Sequence, residues 1–580
     1  MKVISSKTIQ KAERTIRKAR LSKKERLSNT EDEFYLLLDN VKTALKQGWT
    51  VEALRDNLKN LYRIVRGNSE YLRTKDEFNY LKSVCLIAEA YDYLGERLFA
   101  KEAISEGEEE LEKLKKPDTV VHDRRIIRER IRLGLDYAYI TFYRFFDYDR
   151  ARDEVLWCRN FVMQRLMTED FPCLGTLAKA DNQLGRIYMR KNEYEQAEAC
   201  FDQAGRYYEM RAERMKKYCK DNLKLQEELI FSEHKSGLCL GLGLGWTNFL
   251  KGQLKTALRN NVTPARMMLK RTDDALHIAY LDLLEGSIMR SLAGRLDKEK
   301  LEEAIIIIQA AHKVFKHYEH GPYTARAAYE LSLAYLYNNE LEKAASEVTE
   351  METVSENISE SEKDKKRWGC QALIVRSRIE RASQKYVEAL ALAIDAFNWA
   401  KDTNQVLYQI EALITQGEAR MMLGKIEDAR ANFQEALKLN TEPGLDGEEK
   451  QANPKLEATC NLHLARSYIK ERKLRLAEDH FKRWSELRGQ IEHCIIQEIA
   501  LDVEREIREL KQDFLIPADT PDLTYETHRK ALQQFLVERA LSRDKTNKEI
   551  AQVLHISRQT LYKWRDTNPK IRALLGKSEV

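Results

Sequence analysis

Residues 184–204 read LGRIYMRKNEYEQAEACFDQA, and this stretch decides the fold. Two helical patterns meet at its centre, where a polar run interrupts the apolar spacing. In the second pattern, Ala197, Phe201 and Ala204 recur at helical intervals and share one face. In the first, Gly185 is small enough for the second helix to approach closely, and Phe201 can fill the space beside it. The stretch therefore predicts a helical hairpin whose two helices pack tightly.

The same frame recurs along the chain. The clearest further copies repeat its small and aromatic residues, namely Gly417, Gly424, Ala429, Phe433 and Ala436; Leu464, Ala465, Tyr468, Ala477 and Phe481; Leu331, Tyr335, Leu341 and Ala344; and Tyr386, Ala389, Ala393 and Ala396. These copies resemble the tetratricopeptide repeat over roughly residues 80–490. The resemblance implies an all-α, right-handed superhelical solenoid of helical hairpins. The hairpins stack in such a fold because one hairpin cannot bury its apolar face alone. The copies lie about 40–60 residues apart rather than 34, which predicts longer helices or loops than the standard unit.

Composition agrees with a long helical chain. Of 580 residues only 23 are Gly and 9 are Pro, and 33% are charged, as expected for an all-helical protein. The sequence contains no run of about 18 apolar residues, so no membrane-spanning helix is expected. The nine cysteines form no Cys-x-x-Cys pair. The first residues lack an apolar core before a cleavage site, so no signal peptide is expected. Both observations predict a cytoplasmic protein with reduced thiols.

A second motif lies near the C-terminus, where residues 546–564 read TNKEIAQVLHISRQTLYKW. The pattern predicts two short helices joined by a tight turn. Leu561 and Trp564, three residues apart on the second helix, are expected to face back towards Ala551 on the first. The opposite face is polar and rich in hydrogen-bond donors, with Ser557, Arg558, Gln559, Thr560, Tyr562, Lys563 and Arg565 as candidate DNA-binding residues.

The run HISRQTLYKW resembles the Fis-type and resolvase-type helix-turn-helix, although His555 stands where the family commonly has Gly. The resemblance implies binding to duplex DNA. Arg558 and Gln559 would contact base edges in the major groove, and Lys563 and Arg565 would contact phosphates. Residues 521–580 hold 12 Lys+Arg and 7 Asp+Glu, so they carry the whole excess of +5. A plain helical hairpin that ends the fold is the alternative.

These patterns predict four segments. Residues 1–80 form a basic helical segment and a first hairpin, residues 81–515 the repeat solenoid with a capping helix, residues 516–525 a linker, and residues 526–580 the helix-turn-helix domain. An apolar stripe precedes the linker, with Ile491, Ile495, Ile499, Val503, Ile507 and Leu510 at helical spacing. The stripe is expected to cap the last repeat. The alternative is a dimer seam that holds two DNA-binding domains together. Because a single helix-turn-helix buries only a modest interface, we expect a homodimer on DNA, with the stripe as the candidate seam.

A search for catalytic and metal sites yields only weak candidates. No phosphate-binding loop and no His-Glu-x-x-His motif occur. The run GLGLGW (residues 241–246) lacks the strand that precedes a nucleotide-binding loop, so close helix packing explains its glycines better. His312, His317 and His320 would place two imidazoles on one helical face, but no carboxylate or cysteine in the sequence completes a ligand set. We expect no metal and no cofactor.

Two Arg–His pairs match the spacing found in one family of all-helical ribonucleases, namely Arg475 with His480 and Arg271 with His277. Such matches arise by chance in an Arg-rich chain, and no catalytic residue is predicted. The leading hypothesis is a cytoplasmic, prokaryotic, nucleoid-associated regulator that binds specific DNA sequences and whose solenoid binds a peptide or protein partner. The alternatives are a protein-interaction scaffold tethered to DNA, as in mobile-element or defence systems, and an all-helical nuclease.

Overall fold

The computed structural model describes residues 31–42, 51–94, 107–116, 123–145, 147–165, 171–218, 222–272, 274–359, 362–442, 452–515, 530, 533–534, 536–537, 551, 554 and 556–575. Helices and the turns between them account for these ranges. The chain divides into two compact units, one of residues 1–460 with 487–497 and the other of residues 461–486 with 498–580. The first 30 residues of the predicted N-terminal segment and the predicted linker at 516–525 lie outside the described residues.

The helices follow one another in antiparallel pairs. They are α1 (31–42), α2 (Val51–Gly67), α3 (Ser69–Lys75), α4 (Glu77–Tyr93), α5 (Gly107–Lys115), α6 (Arg124–Phe145), α7 (Tyr148–Arg165), α8 (Phe171–Arg190), α9 (Tyr194–Lys216), α10 (Leu223–Leu238), α11 (Gly245–Lys251), α12 (Leu254–Thr256), α13 (Thr263–Leu269), α14 (Ala275–Ala293), α15 (Lys298–His317), α16 (Gly321–Tyr337), α17 (Leu341–Ile358), α18 (Glu362–Ala382), α19 (Tyr386–Asp402), α20 (Val406–Met422), α21 (Ile426–Thr441), α22 (Pro454–Lys470), α23 (Leu474–Leu487), α24 (Cys494–Leu515), α25 (Arg558–Thr567) and α26 (Pro569–Leu575). The two π-helical segments Cys239–Leu244 and Ala257–Val262 join α10 to α11 and α12 to α13.

One backbone turn joins the helices of most pairs. Its central residue is left-handed, as at Asn192 (φ 63°), Asn339 (φ 62°) and Gly424 (φ 75°), and the next helix begins two residues later. The residue between them donates its N–H back across the turn, for example from Glu340 to the Tyr335 carbonyl at 2.9 Å. This is the Schellman arrangement, in which the turn satisfies carbonyls at the end of the first helix. Repeating it gives the second helix of each pair the same register.

That register buries the small residues of the sequence frame. Ala197 and Ala429, each five residues after the left-handed position, are completely buried. On the facing helix, a Cβ atom at Gly417 would lie 2.4 Å from Cε1 of Phe433, and one at Gly185 would lie 2.9 Å from Cδ1 of Phe201. Only glycine therefore permits the observed approach of the two helices. The predicted hairpins and their glycine–phenylalanine packing are confirmed.

The predictions about helix length and the GLGLGW run are also confirmed. Helix α9 has 23 residues and α18 has 21, which is longer than two helices of a 34-residue unit allow. A Cβ atom at Gly243 would lie 2.6 Å from the ring of Phe201, and one at Gly241 would lie 2.6 Å from Leu281. The glycines of this run thus serve close packing within a π-helical segment.

Distant repeats of the first unit also contact one another. The side chains of Asn192 and Asn440 hydrogen-bond at 3.1 Å, and Asn440 in turn donates to the Asn453 carbonyl at 3.1 Å. All three are buried. Further along, the backbone N–H of Lys255 donates to a carboxylate oxygen of Glu492 at 2.6 Å. Hydrogen bonds therefore join helical pairs of the first unit that lie more than 200 residues apart in sequence. These contacts enclose the side chains that face the interior of the unit.

In the second unit, α24 packs along the last hairpin. Arg466 and Glu506 form an ion pair at 3.1 Å, and Lys511 and Glu478 form another at 2.6 Å. These pairs agree with a capping helix.

The apolar stripe differs from its predicted register. The buried side chains are Ile491, Ile496, Ala500, Val503, Ile507 and Leu510, whereas Ile495 and Ile499 are only half-buried. The prediction chose Ile495 and Ile499 where the structure buries Ile496 and Ala500, so this part of the stripe was placed one residue too early. Val503 and its buried neighbours are covered within the single chain, as expected of a capping helix, and the homodimer stays a prediction.

Candidate functional site

The first helices of five successive pairs direct charged side chains into the interior of the first unit. They are Arg290 on α14, Arg326 and Glu330 on α16, Arg378 on α18, Glu411 on α20 and Lys455 on α22, which we call the interior cluster. Glu330 accepts ion pairs from both sides, with Arg290 and Arg326 each at 2.8 Å. Arg378 lies 3.6 Å from Glu411. Charged side chains from several pairs of the first unit therefore lie close enough to interact.

Aromatic rings surround these charges. The Arg326 guanidinium lies 4.7 Å from the Trp246 ring centre and 5.0 Å from that of Tyr329, which are favourable cation–π distances. Its Nη1 donates to the Tyr408 hydroxyl at 3.5 Å. Burial raises the pKa of the Tyr329 and Tyr408 phenols. Both therefore remain protonated at neutral pH and keep a hydroxyl donor available.

The interior cluster is deep but remains accessible. The side chains of Arg326 and Arg378 are each 20% exposed. Although burial opposes their charged forms, Glu330 and Glu411 hold the pKa of the Arg326 and Arg378 guanidinium groups above the usual range. Burial lowers the pKa of the Lys455 ammonium. Among the described residues, no carboxylate lies within 4 Å of that ammonium. Four cations face two carboxylates here, and a partly exposed, cation-rich cluster of this kind suits an anionic group.

The C-terminal candidate residues lie on and around α25. Ser557 caps this helix, because its hydroxyl oxygen accepts the Thr560 backbone N–H at 3.0 Å. Gln559 and Lys563 are exposed. Helix α25 begins at Arg558, whose side chain lies outside the described residues.

The remaining two candidates on this helix contact each other. Tyr562 is half-buried, and the Arg565 guanidinium lies 4.7 Å from its ring centre. Arg565 also pairs with the neighbouring Asp566 at 3.2 Å. The described part of the C-terminus therefore presents exposed polar side chains along one face of α25.

A small apolar cluster supports α25 from the other side. Leu561, Ala551, Val537 and Ile571 are buried together, and Trp564 is half-buried against them. The packing of Leu561 with Ala551 is the contact that the helical spacing predicts. Most of residues 546–555 lie outside the described residues, so the helix-turn-helix itself stays a prediction.

A histidine cluster corrects one expectation from the sequence. His312 on α15 lies beside two carboxylates of α17, with Nε2 3.4 Å from Glu350 and Nδ1 4.0 Å from Glu347. The expectation that no carboxylate completes a set around this histidine is therefore wrong, because α17 supplies both. Burial raises the pKa of Glu347 to about 7 and lowers the pKa of His312 to about 4. Lys316 already neutralises Glu350 at 2.5 Å.

A second histidine cluster joins α10 to the start of α14. The Oδ2 atom of Asp274 lies 2.6 Å from Nδ1 of His277 and 3.2 Å from Nε2 of His234. Although burial opposes the charged carboxylate, the contact with His277 holds the pKa of Asp274 well below its usual range. Sequence reasoning missed this cluster, because His234 lies 40 residues before Asp274 and no local spacing links them.

The two predicted Arg–His pairs have other contacts. Arg271 forms an ion pair with Glu233 at 2.6 Å, while His277 contacts Asp274. His480 lies 2.9 Å from the Asn461 side-chain oxygen and stacks on Tyr468, and Arg475 is exposed. The contacts of His480 are those of a packed side chain.

No protein-family model and no curated protein matches the chain. Among solved structures, a Rap protein complexed with competence and sporulation factor is similar over 72% of this chain and 98% of its own, at 11% identity and a TM-score of 0.44. Yeast Tom70 is similar over 84% and 98%, at 13% identity and a TM-score of 0.37. Human IFIT1 with PPP-AAAA is similar over 70% and 94%, at 15% identity and a TM-score of 0.32.

The pairs, their turns and their packing define the class of fold as an all-α solenoid of tetratricopeptide-like helical hairpins. None of the described helices is both long enough and apolar enough to cross a membrane.

Proposed function

We propose that the protein is a sequence-specific DNA-binding regulator whose solenoid binds a peptide or protein partner. The observation that supports DNA binding is the capped helix α25, which exposes Gln559 and Lys563 above the buried Leu561. This helix lies in the segment that carries the net positive charge of the chain. A helix N-terminus with polar side chains suits the major groove, and flanking cations suit phosphates.

The test is binding of the full chain to duplex DNA recovered by selection from a random pool. Arg558→Ala should weaken binding by about 1–3 kcal/mol and relax the preference at one base pair. Lys563→Ala should weaken binding to all sequences alike and reduce the salt dependence by about one counterion. Lys482→Ala, which removes an exposed lysine of α23, is the matched control and should leave binding unchanged. Absence of DNA affinity even at low salt would reject the proposal.

The interior cluster supports the partner-binding half of the proposal. A peptide or protein carboxylate would accept hydrogen bonds from Arg378 and from the ammonium of Lys455. Bonds to charged groups contribute about 1.5–3 kcal/mol each, or roughly 10- to 150-fold in affinity. Peptide arrays with free and amidated C-termini, and with acidic and neutral side chains, would identify the bound group. Lys455→Ala should abolish the preference for the acidic group. Lys343→Ala, an exposed lysine paired with Glu340, is the control.

A scaffold tethered to DNA is the second candidate, because the interior cluster could bind a partner and α25 could bind DNA without either event affecting the other. The two functions differ in coupling. A regulator predicts that a saturating solenoid ligand changes DNA affinity, and reciprocally that DNA changes ligand affinity by the same factor. A scaffold predicts no change in either. We further propose that the solenoid binds without turning over a substrate, so an RNA-cleavage assay should show no activity that depends on Arg475 and His480.

A further inference from the structure

The cluster of His234, Asp274 and His277 brings two imidazole nitrogens and a carboxylate oxygen together. One ligand atom from each residue lies within 4.8 Å of the others. The two rings are 6.0 Å apart at 67°, so their edges converge on the carboxylate. The side chains of His234 and Asp274 are only about a tenth exposed, and that of His277 is 16% exposed. The group is therefore enclosed by protein but open at one side.

Hydrogen bonds assign the tautomer of His234. Its Nδ1 lies 2.8 Å from the Thr272 hydroxyl oxygen, and that hydroxyl donates to the Leu269 carbonyl at 2.9 Å. Because the Thr272 hydrogen is already used, its oxygen accepts a bond from Nδ1–H of His234. In the neutral imidazole this leaves a lone pair on Nε2. The lone pair faces the Asp274 Oδ2 atom 3.2 Å away.

A hydrogen bond also fixes the orientation of the Asp274 carboxylate. Its Oδ1 atom accepts the backbone N–H of His277 at 3.1 Å, which caps the start of α14. Its Oδ2 atom is therefore directed at the two imidazoles. A nitrogen lone pair and a carboxylate oxygen at this distance repel each other unless a cation lies between them.

We propose that His234, Asp274 and His277 bind a divalent transition-metal ion of the Zn²⁺ class, with water at the fourth position. Two neutral imidazoles and one carboxylate are ligands that Zn²⁺ accepts readily. Zn–N and Zn–O bonds of about 2.0–2.2 Å in a tetrahedron place ligand atoms roughly 3.3–3.5 Å apart. The spacings of 3.2 and 2.6 Å need shifts of less than about 1 Å to reach that geometry. Thr272 supplies the outer hydrogen bond that orients a metal-ligating histidine.

The ion would connect α10 to the N-terminus of α14. Between them the chain passes through both π-helical segments, Cys239–Leu244 and Ala257–Val262. These segments have wider turns than an α-helix and are rare in proteins. A metal bridge across them would fix the geometry of this irregular stretch, so the inferred role of the ion is structural. The inference does not depend on the proposed DNA or partner binding.

The test is Zn²⁺ titration of the metal-stripped full chain against a chromophoric chelator. The expected result is one bound equivalent, and His277→Ala and Asp274→Asn should each abolish it. Two matched controls should retain it, namely His317→Ala, an exposed histidine of α15, and His312→Ala, which removes the other histidine cluster. Thr272→Val should weaken binding by about 10- to 100-fold while leaving all three ligands present.

Co²⁺ provides an independent readout, because tetrahedral and octahedral cobalt differ in the intensity of their visible absorption. The wild-type chain should give the intense tetrahedral spectrum, and Zn²⁺ should displace it. Circular dichroism of each variant reports whether it folds. If a ligand variant unfolds, the zinc affinity of Thr272→Val and the Co²⁺ spectrum of the wild type decide whether the site binds metal as proposed. No zinc binding by the folded wild type, or zinc binding that is unchanged in folded His277→Ala, would overturn the inference.

Discussion

Replacing Gly417 with alanine tests the close packing on which the repeat depends. The new Cβ atom would lie 2.4 and 2.6 Å from two ring carbons of Phe433, which is fully buried. Alanine stabilises a helix interior by about 1 kcal/mol relative to glycine. Overpacking a dense core costs about 1–3 kcal/mol, and contacts this short place the cost near the upper limit. We therefore expect Gly417→Ala to lower the free energy of unfolding by about 2 kcal/mol.

The same substitution elsewhere should have the opposite sign. Gly205 lies within α9, and a Cβ atom there would meet only the Ser236 hydroxyl oxygen at 3.9 Å. Without a clash, Gly205→Ala should stabilise the protein by up to about 1 kcal/mol. Urea unfolding followed by circular dichroism compares the two variants with the wild type. Because repeat arrays can unfold in parts, amide hydrogen exchange in α20 and α21 should locate the loss caused by Gly417→Ala.

A double-mutant cycle identifies the cause. Phe433→Leu shortens the ring that the new methyl group would meet, so the two substitutions should couple favourably by about 0.5–3 kcal/mol. If Gly417→Ala stabilises the protein as Gly205→Ala does, the helices do not approach as closely as described, and the packing argument for the repeat fails.

Three further predictions follow from burial. Ionising Glu347 costs free energy in the folded state, because its pKa rises from a usual 4.5 to about 7. Glu347→Gln should therefore raise the unfolding free energy at pH 8, by at most about 3 kcal/mol, and leave it unchanged at pH 4.5, as measured by urea titration at both values. Trp564→Ala should cost about 1–3 kcal/mol, less than for a fully buried tryptophan, and hydrogen exchange at residues 556–575 would report it. Val503→Asp should destabilise α24 by about 3 kcal/mol or more. Ile499→Asp, at a half-buried position, should be tolerated. Limited proteolysis compares the two variants, and only Val503→Asp should be cleaved faster than the wild type.

Local sequence was sufficient for the repeat unit. Ala429, Phe433 and Gly417 lie within 17 positions of one another, and one turn at Gly424 relates them. Because that turn fixes the start of the second helix, helical spacing then decides which residues are buried. The same reasoning placed Leu561 on the buried face of α25.

The apolar stripe of α24 shows where local reasoning failed. Isoleucines occur at both 495 and 496, and both fit a helical stripe. Spacing alone therefore could not choose between two adjacent registers. The burial of Ile496 and Ala500 was decided by the residues that α24 packs against.

The sequence by itself determined the all-helical class, the hairpin unit and its internal register, because these depend on residues within one or two helices of each other. The tertiary structure alone decided which side chains meet across pairs. The interior cluster takes Arg290, Arg326 and Arg378 from three different first helices. The proposed metal-ligand set takes His234 from α10 and Asp274 from the start of α14, which two π-helical segments separate along the chain. No spacing along the chain encodes those contacts, because the stacking of whole hairpins brings them together.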